Sequence, residues 1–460
     1  MKVRLPRVKA NPLKDLYASA ALSQSVGRSL NFILLGNLFG NLFGIICGSG
    51  TAAMVGLANE LRAGDFAFGL INGIPQAAML LQIPFAILVS RTHRRKRYML
   101  TFGLFSRALW LFFGLIPALI PGKSAALRTL IALLALSSCC SAAINVCWFP
   151  WFSNLAPANI RGRWLSIRDT IVSGANLAFG ILIARLLDTL PPDKRYIVIF
   201  LLGGFLGMMD MICFGFCEER YTTKPVRLRL SAATAAIREP SFRRLILMWT
   251  AWCFTASLCE PYLSRYSINV MGLSFTQMTI CGSAAASVMT ILIIRHWGKA
   301  MDAFGARSVM LVAASGAALA NALYLFSTPG AMWPVLLRNA LGAAFWCGSN
   351  LAANNMQLYS SPDDERPIYI AVFSCLTALV GTAPGSMTGG FLLDTWESAR
   401  VFAGSFDRYK ALIALTTLLR ILVVVFLAPR LKNDRDGTPG QLIYALLRGG
   451  RHSTEPKTAR

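Results

Sequence analysis

The sequence predicts an all-α integral membrane protein with twelve transmembrane helices in two pseudo-symmetric six-helix bundles. Three observations point there. Hydrophobic residues make up 55% of the 460 and charged residues 14%, against roughly 25% charged in soluble domains. The apolar residues are gathered in twelve runs near the length a bilayer requires, since a hydrocarbon layer about 30 Å thick divided by about 1.5 Å rise per residue needs about 20 residues. Short polar motifs also recur between the runs at a nearly constant offset, as duplicated halves would give.

In chain order the runs lie near residues 30–57, 66–90, 98–120, 128–152, 170–190, 196–216, 246–269, 276–297, 308–327, 333–357, 368–394 and 409–429. They divide the chain into a basic amino-terminal segment (1–29), a first bundle (30–216), a central loop (217–245), a second bundle (246–429) and a basic tail (430–460). The central loop carries seven Lys or Arg, and its alanine-rich Leu228 to Ile237 predicts a short interfacial helix. No cleavable signal is expected, because the first apolar run starts near Leu30 and is long enough to span.

A net charge of +24 would suit nucleic acid, but the placement of the cations argues against it. With the amino terminus inside, about 31 of the 45 Lys and Arg fall in cytoplasmic segments, about 8 outside and about 6 within helices, which is the positive-inside pattern. The expected setting is therefore the plasma membrane, with both termini cytoplasmic, the lipid bilayer as partner and no nucleic acid. The basic tails, Lys2 to Lys14 and Arg430 to Arg460, are expected along anionic headgroups.

Eleven cysteines show no C-x-x-C spacing and read as small hydrophobes. His93, His296 and His452 are far apart. No clustered His, Cys or carboxylate constellation points to a metal centre or to catalysis, and no G-x-x-x-x-G-K-[ST] loop for ATP is present. The chain reads as a non-enzyme without metal or cofactor.

Inside the runs, polar residues are the informative ones. The first carries Gly36, Gly40, Gly44 and Gly48, one every fourth residue, a ridge without side chains that lets another backbone approach closely. Asn37 and Asn41 follow the ridge, and a primary amide in hydrocarbon needs a partner or water. The second run adds Asn72, Gln76 and Gln82, the fourth Asn145, and the tenth Asn350, Asn354 and Asn355. Trp148, Trp151, Trp346 and Tyr262 supply either stacking faces or interfacial anchors. Intramembrane charges are functional candidates by default. Glu260, followed by the kink-favouring Pro261, reads as a proton-coupling or cation-binding group, or else as a structural partner of Arg265 or Arg338. Arg107 and Asp210 lie at similar depth and read as a structural ion pair. Arg420, central in the twelfth run, has no evident acidic partner.

The loops carry the repeats. After the eighth run, Gly298-Lys-Ala-Met-Asp302-Ala-Phe-Gly305-Ala-Arg307 gives G-x-x-x-D-x-x-G-x-R. Arg97 precedes Arg307 by 210 residues, and Pro157-x-x-x-Arg161 precedes Pro362-x-x-x-Arg366 by 205. The loop pattern resembles the inter-helix signature of the major facilitator superfamily of transporters, which follows the second and the eighth of twelve helices. Phe242-Arg243-Arg244 leads into the seventh run as in that superfamily, and Trp148-Phe-Pro-Trp151 through Arg161-Gly162-Arg163 is similar to a segment of many bacterial members. The first copy of the signature is degraded, with Leu88, Thr92 and Arg95 where the second has Gly298, Asp302 and Gly305.

The resemblance implies that helices 1, 4, 7 and 10 line a central path, so that Asn37, Asn41, Asn145, Glu260, Tyr262, Trp346, Asn350 and Asn354 contact the solute. It also implies that the loop after helix 2 lies against the start of helix 11, and the loop after helix 8 against the start of helix 5. Basic Arg94 and Arg97 would then face Asp363, Asp364 and Glu365 beside Arg366, while Asp302 would face Arg161, Arg163 and Arg168. These patches, with Gly298, Gly305 and Arg307, are expected to latch the cytoplasmic side when the protein faces outward. The expected function is secondary active transport of a small polar or amphipathic organic solute, sugar-like among the options, driven by a proton or another cation, by a monomer. The alternatives are an exporter of lipophilic compounds or lipids, for which the glycine-proline signals of drug antiporters are weak, and a non-transporting assembly or sensor protein.

Overall fold

The computed structural model describes residues 17, 23–92, 95–219, 230–362, 365–399, 407–432 and 437–447. Among them the chain is helical and without strands. The amino half contains α1 (Gln24–Ile46), α2 (Ala52–Glu60), α3 (Asp65–Ala78), α4 (Gln82–Thr92), α5 (Arg95–Phe113), α6 (Ile116–Leu119), α7 (Lys123–Leu155), α8 (Ala158–Thr189) and α9 (Pro192–Gly215). After α10 (Leu230–Arg238) the carboxyl half contains α11 (Pro240–Asn269), α12 (Phe275–Thr279), α13 (Ala285–Asn321), α14 (Trp333–Tyr359), α15 (Arg366–Leu376), α16 (Ala383–Ser398) and α17 (Arg408–Leu427), and α18 (Pro439–Leu447) follows.

Every predicted apolar run coincides with helix, with two corrections. The first run ends at Ile46 rather than near residue 57. Gly48 and Gly50 break the helix, and Thr51 starts α2 by accepting the N–H of Met54 (3.4 Å) while its hydroxyl donates to the Ile46 carbonyl (2.8 Å). The segment 298–307 is not an open loop: α13 runs through it and departs from helical geometry at Gly305 (φ 80°, ψ 162°), a conformation that favours glycine. The chain reverses there, since Trp297 and Ala313, on either side of Gly305, both press on Gly348, where an added Cβ would lie 2.7 and 3.0 Å from them.

Eight helical runs among the described residues have the length and composition of a membrane span, and one of them, Phe275–Phe326, contains the reversal at Gly305. Three long helices fall outside that class, and each carries charge: Arg107 in α5, Glu260 and Arg265 in α11, Arg338 in α14.

The glycine ridge is packed over its first half only, since Gly44 faces open space and Gly48 lies beyond the end of α1. Gly36 and Gly40 meet α9, and a Cβ on Gly40 would stand 2.8 Å from Asp210 Oδ2. Across the halves α3 meets α16 and α11 equally closely, a Cβ on Gly69 falling 2.6 Å from the Ser386 carbonyl oxygen. α10 confirms the short helix expected in the central loop. The carboxyl tail packs on the bundle where it is described: the Arg430 and Lys432 carbonyls accept from Arg244 and Tyr359 (both 3.5 Å), Ser308 donates to the Gly437 carbonyl (2.6 Å), and Leu431 and Leu442 are buried; Lys2 to Lys14 and residues 433–436 and 448–460, expected along headgroups, lie outside the described residues.

Candidate functional site

The two halves are joined by polar contacts at the end of the bundle far from the termini. Asp65, at the start of α3 and 1% exposed, holds Arg265 of α11 (2.9 Å) and Arg408 of α17 (3.3 Å) and accepts the Tyr409 hydroxyl (3.0 Å). Arg265 also donates to the Ala63 carbonyl. Asp394, closing α16, accepts the N–H groups of Asp65 and Phe66 at the start of α3, both at 2.9 Å, where a carboxylate gains from the helix dipole. Asp188 at the end of α8 accepts Phe275 and Thr276 (3.0 and 2.8 Å), and Asn59 meets Asn269 (2.8 Å). Asp65, Asp394 and Glu397 bring carboxylate oxygens within 4.8 Å of one another, and Arg408 pairs with Glu397 as well as Asp65, so guanidinium groups neutralise the cluster. Of these residues the sequence singled out only Arg265, and with Glu260 as its partner instead of Asp65. Acids and bases at the mouths of apolar runs read as topology determinants until their partners, some 200 to 340 positions away, are known.

Between the halves, beneath this clasp, lies a cavity of about 730 Å³ lined by α1, α8, α11, α13 and α14, with the charges of Glu260 and Arg338 on one wall and Asn176, Asn339 and several Ser and Thr hydroxyls among its other polar groups. A smaller cavity of about 350 Å³ adjoins it, lined by Glu260, Arg338, Asn339, Trp346 and Arg420. One oxygen of Glu260, Oε1, accepts from Arg338 and from Arg420 (3.0 Å). Arg338 also donates to Asn339 Oδ1 (3.0 Å) and Asn321 Oδ1 (3.4 Å), and Asn321 in turn donates to Thr416 and Thr417 (3.3 and 3.1 Å). Arg420 therefore has the acidic partner that the sequence did not reveal. Arg265 does not reach Glu260, being committed to Asp65.

In the amino half a third cavity, also about 350 Å³, is lined by Asn37, Asn41, Asn145, Trp148, Arg107, Asp210, Arg168 and Asp169. Arg107 pairs with Asp210 at 3.6 Å and rests 4.0 Å above the Phe43 ring. The amides of Asn37 and Asn41 donate to carbonyls four residues back, at 2.8 and 2.7 Å. Arg168 pairs with Asp169 (2.6 Å) and lies 5.5 Å over Trp148.

Of the predicted contact residues, Asn37, Asn41, Asn145, Glu260 and Trp346 line these cavities. Tyr262 does not: it is 1% exposed and donates to the Ser386 carbonyl, locking α11 to α16 beside Gly69, Gly389 and Gly390. Asn350 and Asn354 line none of the three. At the end bearing the termini, Asp302, Arg97 and Arg163 are exposed, Gly298 and Arg307 half-buried, and Gly305 forms the reversal. Arg161 donates to the Ala156 carbonyl (3.0 Å) and Arg366 to the Leu358 carbonyl (3.2 Å). Arg168 faces Asp169. Arg94, Asp363 and Asp364 lie outside the described residues.

A helical membrane bundle of two halves, with a charged cavity between them and a polar clasp at one end, defines a solute carrier of the secondary-transporter class. The family model "Major Facilitator Superfamily" matches residues 34–386, and the chain belongs to that superfamily. No curated protein sequence matches. Among solved structures, a point mutant of the nucleoside transporter NupG is similar with a TM-score of 0.66 at 12% identity, covering 88% of this chain and 100% of that one. An auto-inhibited POT family peptide transporter gives 0.63 at 12% identity, covering 90% and 99%. A bacterial homologue of the human lysosomal transporter Spinster, inward-facing and occupied, gives 0.59 at 15%, covering 95% and 99%. At such identities the likeness is one of fold.

Proposed function

We propose that this chain moves a small polar or amphipathic organic solute by alternating access through twelve spans, driven by a proton gradient, with Glu260 as the coupling carboxylate. The observation that carries this reading is the position of Glu260: one carboxylate held by two guanidinium groups on α14 and α17, at the wall shared by the cavity between the halves and the smaller cavity that adjoins it. A carboxylate there can exchange its partners for a proton as the helices shift, and a buried pair broken on one side leaves an uncompensated charge that favours such an exchange. The groups facing it are Arg338 and Arg420, with Tyr324 beneath Arg338 and Cys259 beside it in α11.

The clasp at Asp65 supports a state closed on the far side, and the charge distribution supports assigning that side to the exterior, with both termini in the cytoplasm. Opening outward then requires Asp65 to release Arg265 and Arg408, while Arg94, Arg97, Asp363, Asp364 and Arg366 on one side, and Asp302, Arg161 and Arg163 on the other, close the cytoplasmic face. The test is a solute library screened by thermal shift on the purified chain, followed by uptake into proteoliposomes with and without a pH gradient. Uptake stimulated by the gradient in the parent, and indifferent to it in Glu260→Gln, supports the reading. Equal stimulation of both discards Glu260 as coupling group, and the absence of uptake for every solute that binds favours a sensor.

A further inference from the structure

The charges of the carboxyl-half site do not balance. Arg338 and Arg420 bring two cations to one carboxylate, and the other groups around them, Asn321, Asn339, Tyr324, Thr416 and Thr417, are neutral. Both guanidiniums are withdrawn from water, Arg338 at 9% and Arg420 at 2% exposure. An unneutralised charge at such depth is penalised by several kcal/mol even after relaxation, so a site of this composition is stabilised by one further negative charge.

The donors to receive it are present. A guanidinium offers five N–H donors in a planar fork. Glu260 engages both arginines through the same oxygen, Oε1, and the buried Nε of Arg420 has no acceptor. Arg420 lines the cavity of about 350 Å³ that it shares with Arg338 and Trp346, which is near the lower end of the roughly 300–1,000 Å³ of small-molecule sites. The remaining wall suits a flat apolar body. Trp346 offers an aromatic face, backed by the buried Trp252 (6.0 Å, 26°), which sits 5.7 Å from the Arg420 guanidinium; Gly342, Ala343, Ala286 and Ala317 add no bulk, and Asn339 adds one amide.

We propose that the transported solute is an organic monoanion, a carboxylate on a compact flat apolar body, whose carboxylate binds Arg338 and Arg420 in the place that Glu260 holds when the site is empty. This rests on the transport reading above and narrows its substrate class. Glu260 is then a placeholder that competes with the solute, the reverse of a group that binds a cationic solute.

The test uses the full-length chain in lipid nanodiscs and matched probes: benzoate and indole-3-acetate, their neutral amides, and benzylamine and tryptamine. Equilibrium binding should favour each acid over its amide and amine by about tenfold or more. Arg420→Gln and, separately, Arg338→Gln should each weaken the acid by about tenfold or more. Glu260→Gln should tighten it by about tenfold, because the competitor is gone; a thermal melt shows that each variant is folded, and Glu260→Gln with Arg420→Gln supplies a variant with the parent's net charge in which the gain is lost. Amides or amines binding as well as the acids, or Glu260→Gln abolishing acid binding in a folded chain, would overturn the proposal; uptake of those neutral or cationic probes into proteoliposomes would leave the transport reading standing. Acids that bind with the predicted variant pattern but never accumulate in proteoliposomes would support the anion site and discard transport.

Discussion

The two halves carry their buried charges differently. Asp210 of α9 and Arg420 of α17 are 210 residues apart, the offset that relates Arg97 to Arg307, so repetition puts opposite charges at corresponding places. In the amino half Asp210 meets one cation, Arg107, at 3.6 Å, and the pair is neutral, wedged between Gly40 and the Phe43 ring. In the carboxyl half Arg420 meets a carboxylate that Arg338 already holds, and the cluster keeps a surplus cation at a cavity wall. Both clusters line a cavity of about 350 Å³, so the charge balance is what separates them. A balanced pair suits a fixed joint, and an unbalanced cluster suits binding and exchange.

The largest effect expected from this contrast is on transport. Arg338→Gln removes the residue that faces both the cavity between the halves and the one adjoining it, and ties Glu260 to Asn321. Truncating one partner of a buried hydrogen-bonded charge pair costs about 2–5 kcal/mol, so uptake should fall about 30-fold or more at fixed solute concentration, with folding retained by thermal melt. A residual uptake above half of the parent would end the distinction between the halves.

Stability is the readout for the other half. Asp210→Asn leaves Arg107 as an uncompensated buried cation and should cost about 3–5 kcal/mol, seen as a lower midpoint of unfolding. Arg107→Met combined with Asp210→Leu should recover most of the loss, because an apolar pair of similar volume replaces a buried ion pair at little cost. If the double variant is stable yet does not transport, Arg107 and Asp210 belong to the solute path that also exposes Asn37, Asn41 and Asn145.

The positions of the helices were legible in the sequence because bilayer thickness imposes a length and an apolar composition on each one. The reversal within 298–307 was legible as a motif but not in its form: only Gly305 takes a non-helical conformation, and glycine spacing alone does not tell an open loop from a single-residue break. Asn37, Asn41, Asn145 and Glu260 stood out as polar groups in apolar runs and Trp346 as an aromatic face, and all five line cavities. Tyr262 was misplaced because an aromatic near a helix end looks the same whether it lines a cavity or, as here, fills the space left by Gly69 and Gly390 on neighbouring helices. The partner of Arg420 was invisible because it lies 160 residues away and pairing across the bundle leaves no local spacing signal.

At the far end the carboxyl half again supplies the cations, Arg265 and Arg408, and the amino half the carboxylate, Asp65. Asp65→Asn keeps a polar group but removes the charge both arginines face. A loss of about 1.4 kcal/mol shifts an equilibrium tenfold, so opening on the far side should become about tenfold more populated. A cysteine placed at Ser49, which lines the cavity beneath the clasp, would report this in a background lacking the native thiols as faster labelling from the far side; an unchanged rate would show that backbone contacts such as those of Asp394 to Asp65 and Phe66 hold the end shut by themselves.

The smallest effect belongs to the end bearing the termini, where the polarity is inverted: Arg163 is on the amino half and Asp302 on the carboxyl half, both exposed. Exposed pairs are worth about 0–1 kcal/mol, so their pairing can bias the two faces only a few-fold. Asp302→Arg and Arg163→Asp should each slow uptake about two- to fivefold by disfavouring closure of that face, and the two together should restore it because the attraction is re-formed with its signs exchanged. Additive losses would mean that these charges set topology and do not latch the bundle. Rescue would show instead that each half offers its cations at one end and its acid at the other, so that rocking exchanges one set of cross-half ion pairs for the opposite one.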